Sequence, residues 1–210
     1  MLISDLFIHN KKDFNEISNF IEKIFKLNKS LPENVFSSQF SNYKFNEFEW
    51  LMYDEFWNFT KKLNNITGDS SIIISVIDPD PIEYHFKYFN FFNTVKIPIE
   101  FSAEDYQSVL DFHLPGSKAD AIIYNSNVIA IFPISKKWAI WADRSYGIMV
   151  LGYNLDEIDK DSNKLFEQWV STVDIDIITD WVSYNFENEN EIKNFTNTLY
   201  LNYKYNDNEM

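Results

Sequence analysis

Between residues 119 and 153 the chain alternates short apolar runs with polar connectors. The runs are Ala119–Tyr124, Val128–Phe132, Trp138–Ala142 and Gly147–Tyr153. Asn125-Ser126-Asn127, Ser135-Lys136-Lys137 and Asp143-Arg144-Ser145 join them. A parallel return needs a crossover of a dozen residues or more, so connectors this short permit only antiparallel neighbours. The stretch therefore predicts a β-meander. A β-branched run, Ser71–Ile77, lies upstream between Gly68 and the Asp78-Pro79-Asp80-Pro81 turn, and predicts a buried strand. Glu83–Phe92 alternates imperfectly and is expected to be a second strand. The expected sheet has five or six strands.

The flanks follow a helical period. Phe14, Ile17, Phe20, Ile21, Ile24 and Phe25 recur every three or four residues, and Leu31-Pro32 should close that helix. Phe48, Leu51, Met52, Phe56, Phe59 and Leu63 predict a second helix over 46–65, with Gly68 beyond it as a stop. Ser102 to Asp105 has the spacing of a capping box and opens a short helix to Phe112. After Asp161 the apolar positions Leu165, Phe166, Trp169, Val170 and Val173, then Ile177, Ile178, Trp181 and Val182, and finally Ile192, Phe195 and Leu199 are again helical in spacing. The reading is one α+β domain over 1–210. Helices occupy 1–68, the antiparallel sheet with one short helix 69–154, and helices 155–205, with a frayed tail at 206–210. The helices are expected over one sheet face.

The same residues exclude much chemistry. No cysteine occurs, so disulfides, thiolate zinc sites and thiol nucleophiles are out. Four glycines, at 68, 116, 147 and 152, cannot build a glycine-rich phosphate cradle. Of the three histidines, His9, His85 and His113, none has metal-ligand spacing. His85 follows Asp78 and Asp80 closely enough for a carboxylate–imidazole site to be conceivable. His113 stands at a helix exit. No catalytic, metal or cofactor-binding residue is therefore assigned, and the chain is not read as an enzyme.

Charge points to the class of partner. The formal net charge is −14, which disfavours nucleic acid and anionic membranes and favours a basic protein. No apolar run is long enough for a signal-peptide core or a membrane span, so the expected location is the cytoplasm. Acidic residues gather late: Asp156, Glu157, Asp159 and Asp161, then Asp174, Asp176 and Asp180. With Tyr153 and Trp181 as aromatic anchors, these are the candidate partner-binding residues. Trp169 is a further candidate anchor. One basic residue stands apart. Arg144 is the only arginine among eighteen cationic side chains, and its planar fork suggests an anchor on a carboxylate or on Trp141 or Tyr146. Trp138 and Trp141 are three residues apart on a strand, so they are expected to face opposite sides of the sheet as structural anchors beside it.

Residues 135–153, Ser-Lys-Lys-Trp-Ala-Ile-Trp-Ala-Asp-Arg-Ser-Tyr-Gly-Ile-Met-Val-Leu-Gly-Tyr, together with the apolar run before them, resemble a segment of small acidic bacterial proteins of immunity type. Those proteins serve polymorphic-toxin and contact-dependent-inhibition systems. The resemblance spans about residues 70–155 and carries no site residues with it. It implies a cytosolic, acidic protein that neutralises a toxin domain by stoichiometric binding, and the charge adds the expectation of a basic toxin, such as a nuclease. An intracellular adaptor with a non-toxin partner is the alternative, and an unrecognised hydrolase the third reading.

Overall fold

The computed structural model describes residues 2–37, 40–154 and 164–204. Seven strands form one antiparallel sheet: β1 Phe7–Ile8, β2 Asn42–Glu47, β3 Ser71–Asp78, β4 Phe92–Pro98, β5 Val128–Pro133, β6 Trp138–Asp143 and β7 Ile148–Tyr153. Their order is β1-β4-β3-β5-β6-β7-β2. The fold is α+β, with the meander β5-β6-β7 at its centre. Val128 faces Asp143 across the first pair, and Asp143 faces Ile148 across the second.

Two expected strands are not strands. Ala119–Tyr124 is a 3-10 turn over Lys118–Asp120 followed by tight turns, with the amides of Tyr124 and Asn125 both bonding the carbonyl of Ala121. The edge of β5 that this run would have used is taken by β3, paired from Ile72 to Asp78. Residues 81–89 are helical instead: a π-type turn, Pro81–Phe86, runs into the short helix α3, Lys87–Phe89. Asp80 accepts hydrogen bonds from the amides of Ile82 and Glu83 at 2.8 and 2.7 Å, and Pro81 occupies the first turn. That start signal outweighs the strand preference of the aromatic residues behind it.

The N-terminal segment is not helical throughout. It supplies helices α1 (Lys11–Ile24) and α2 (Asp54–Thr67), but also both edge strands, β1 and β2. Residues 46 and 47 therefore end a strand, and a 3-10 turn over Phe48–Met52 precedes α2. Gly68 closes α2 in the left-handed region at φ 77°. Helix α4, Ala103–Leu110, opens on the Ser102–Asp105 capping box.

The helices cover both faces of the sheet, not one. Ile72, Ile74 and Val76 of β3 pack with Phe56, Leu63, Tyr106 and Val109 of α2 and α4. Ile73 of β3, with Phe132, Trp141 and Val150, packs with α1 and with two C-terminal helices, α5 (Ile175–Ser183) and α6 (Glu189–Tyr203). This explains why β3 is apolar at successive positions: a strand buried on both sides has no solvent face to mark with polar residues. Trp138 enters the first layer and Trp141 the second, as strand alternation requires.

Between β7 and α5 the chain changes layers around the β2 edge. Trp169 packs in the first layer. Val170 then exchanges backbone hydrogen bonds with Phe45 at 2.7 and 3.0 Å, and α5 begins in the second layer. These bonds and the Asn46 amide, which donates to the carbonyl of Gln168, occupy an otherwise open strand edge. Residues 165–173 are thus short 3-10 turns around a bridge at Val170 rather than the regular helix their spacing predicts. Among the described residues no helix is long and apolar enough to cross a membrane.

Candidate partner-binding face

The Arg144 corner is part-buried, with Ser145 exposed and the polar groups of Asp143 and Arg144 turned back onto the fold. Asp143 accepts the amide of Ser145 at 3.0 Å and so caps the 3-10 turn Arg144–Tyr146, which Gly147 closes at φ 69°. Arg144 Nε donates to the carbonyl of Ser126 at 2.8 Å. One terminal nitrogen donates to the carbonyl of Ile123 at 3.1 Å and to Ser126 Oγ at 3.3 Å. The guanidinium lies 4.4 Å from the centroid of the Phe48 ring. The planar fork is used, but on carbonyls and on Phe48, not on a carboxylate or on Trp141 or Tyr146. Burial pushes the pKa of Arg144 down, against the field of Glu49. Burial also pushes the Asp143 carboxyl up to about 6, opposed by the amides of Ser145 and Tyr146 and reinforced by Asp78.

The histidines form no carboxylate site. His85 is buried, with its two ring nitrogens each 3.4 Å from a carbonyl, those of Phe91 and Asp120. Burial lowers its pKa. Asp80 is committed to its cap, and Asp78 accepts from the Asn127 side chain at 2.9 Å. His113 bonds the carbonyl of Asp111, and His9 that of Ser4. Among the described residues no group of three potential ligands could hold a metal ion.

Of the candidate partner-binding residues, Asp156, Glu157, Asp159 and Asp161 lie outside the described residues, as does the 206–210 tail. Tyr153 is a core ring, 3% exposed and stacked on Phe166 at 4.7 Å, so it is not a surface anchor. Trp169 is likewise buried. Trp181 is half-buried against the second layer. Asp174, Asp176 and Asp180 come together along α5.

Helix α5 has two apolar sides. Ile178 and Val182 face the sheet. Ile177 points away from them, flanked by Val173 in the 3-10 turn Thr172–Asp174 before the helix and by Tyr184 at its C-terminal cap, while Trp181 packs partly against the second layer. Val173 is 83% exposed, Ile177 45% and Tyr184 91%. Asp176 and Asp180 run beside this ridge and are exposed. Asp174 differs from them: its carboxylate accepts from the amide and hydroxyl of Ser171, both at 3.3 Å, and so caps the turn before α5. No hydrogen bond or ion pair of the Asp176 or Asp180 carboxylate occurs among the described residues.

The sequence does carry the trace of this ridge. Ile177 directly precedes the buried Ile178, and Val173 and Tyr184 bracket the nine-residue helix, so the segment carries more apolar residues than one inward stripe can bury. Val173 and Ile177, expected on the inward stripe, are exposed instead. No protein-family model matches the chain, and no curated protein or solved structure matches it either.

Proposed function

We propose that this chain is an immunity-type protein of the cytoplasm that binds a basic toxin domain and neutralises it by stoichiometric occlusion. The observation that carries the reading is the exposed strip of Val173, Ile177 and Tyr184 along and around α5, beside Asp176 and Asp180, whose carboxylates hold no partner among the described residues. Water-exposed Val173 and Tyr184 gain by burial against a partner, and aromatic side chains at the centre of an interface tend to dominate its energy. The aspartates and the net charge of −14 steer a cationic surface toward the ridge and repel nucleic acid. The resemblance of residues 135–153 to immunity-type proteins supports the same reading.

The test is co-expression with the toxin domain encoded beside this gene. A one-to-one complex that survives gel filtration, abolishes toxicity and weakens as salt rises is the expected result. If no neighbouring toxin exists and none co-purifies, the reading is lost. A complex whose affinity ignores salt removes the electrostatic part of the argument.

A further inference from the structure

Beside the α5 ridge, α5 and α6 enclose an open groove of about 280 Å³, lined by Thr179 and Ser183 of α5 and by Glu189, Ile192, Lys193 and Thr196 of α6. Its hydroxyls point back into the helices. Thr179 donates to the carbonyl of Ile175 at 2.8 Å, Ser183 to that of Asp180 at 2.7 Å, and Thr196 to that of Ile192 at 3.0 Å. With those donors spent, the groove wall offers methyl and methylene groups. Positions three and four apart are neighbours on a helix, so Asp176 and Asp180 form the next ridge beside Thr179 and Ser183. The groove itself is lined by one carboxylate, Glu189, and one ammonium, Lys193, and the exposed carboxylates of Asp176 and Asp180 on the next ridge of α5 tip the balance at its rim to negative.

We infer that this groove is a subsite for one cationic side chain of the partner, an arginine or lysine whose alkyl stem lies in the slot and whose charged head reaches the carboxylates. Long cationic side chains bury their stems along apolar surface while the head stays hydrated, and an apolar slot with an acidic rim matches both parts. A neutral chain would leave the carboxylates unused, and an anion would meet a rim of net negative charge. The inference deepens the proposed function and rests on it for the partner, but the groove can be probed without any toxin.

The probe is N-butylguanidinium, titrated into the isotopically labelled protein and followed by amide chemical shifts. Saturating shifts confined to Thr179, Ser183, Ile192 and Thr196 are expected, much larger than those from 1-butanol or from guanidinium ion at the same concentration. The Asp176→Asn/Asp180→Asn double variant should bind the probe about threefold or more weakly, and Lys193→Ala should bind it more tightly. Equal shifts from 1-butanol, shifts spread over the whole acidic surface, or unchanged binding by the double variant each overturn the subsite. A missing toxin complex overturns the proposed function instead, so the two failures are distinguishable.

Discussion

The Arg144 corner and the α5 ridge are neighbours with opposite economies of contact. At the corner, Arg144 places its donors on the carbonyls of Ser126 and Ile123 and its plane near Phe48. On the ridge, Val173 and Tyr184 stand almost fully in water, and the carboxylates of Asp176 and Asp180 hold no partner among the described residues. The two regions meet. Tyr146, at the corner, lies 6.0 Å from Phe186 and 4.6 Å from Phe195 between ring centroids, and Gly147 approaches Asn185 and the Trp181 carbonyl. The junction that carries Tyr184 is therefore seated on the corner. An unusual residue type marked the region that is inward-facing and structural, whereas ordinary residues in an unusual spacing marked the one open to a partner.

Breaking the corner should have the largest effect. Arg144→Ala leaves the carbonyls of Ser126 and Ile123 without their donor and removes the contact with Phe48. A loss of about 3 kcal/mol is expected, equivalent to about 6–12 °C in melting temperature for a chain of this size. Arg144→Lys keeps the charge but not the fork and should lose about half of that. Unchanged thermal unfolding of both variants would falsify the anchor.

Asp143 gives the next effect, and its sign is opposite. Its folded carboxyl titrates near 6, above its ordinary value of 3.8, so the folded protein holds that proton more tightly than the unfolded chain. Between about pH 4 and 6 this group makes stability fall as pH rises, and above pH 6 its full cost is present. The pKa difference corresponds to about 2–3 kcal/mol. Asparagine at this position can still accept the Ser145 amide without a buried charge. Asp143→Asn should therefore be the more stable protein at pH 7.5 by about 2 kcal/mol, with the advantage shrinking toward pH 4. Urea unfolding of the pair at both pH values checks it, and a pH-independent difference would remove the buried-charge account.

How much was legible in the sequence differs between the same two regions. The meander was legible because short connectors leave one topology, and Trp138 and Trp141 fell on opposite faces because strand alternation is local. The two edge strands were not: Phe7–Ile8 is two residues long, and Asn42–Glu47 has no clear alternation, so both exist through partners distant in sequence. Coverage of both faces could have been read from Ser71–Ile77, whose successive apolar residues leave neither side for water. The contacts of Arg144 could not, because Ile123, Ser126 and Phe48 reach it only through the folded chain. Charge count drew attention to Asp174, Asp176 and Asp180 alike. Only the geometry separates the capping Asp174 from Asp176 and Asp180, whose carboxylates have no partner among the described residues.

The ridge should be nearly silent in stability, and that silence is its sharpest contrast with the corner. Tyr184 is 91% exposed, and Val173 83%, so Tyr184→Ala and Val173→Ser remove little buried area and should change unfolding free energy by less than about 0.5 kcal/mol. On the proposed function the same changes would remove an interface ring and an apolar neighbour, and Tyr184→Ala should weaken the toxin complex by about 2 kcal/mol, close to thirtyfold. Asp180→Asn should act mainly on the association rate and should matter less as salt rises. The informative measurement is the ratio of the two effects for each variant. A ridge that serves only to keep the chain soluble gives small values for both, while a ridge that belongs to the core gives a large stability loss. Tyr184→Ala with intact folding and intact binding would move the interface away from α5 altogether.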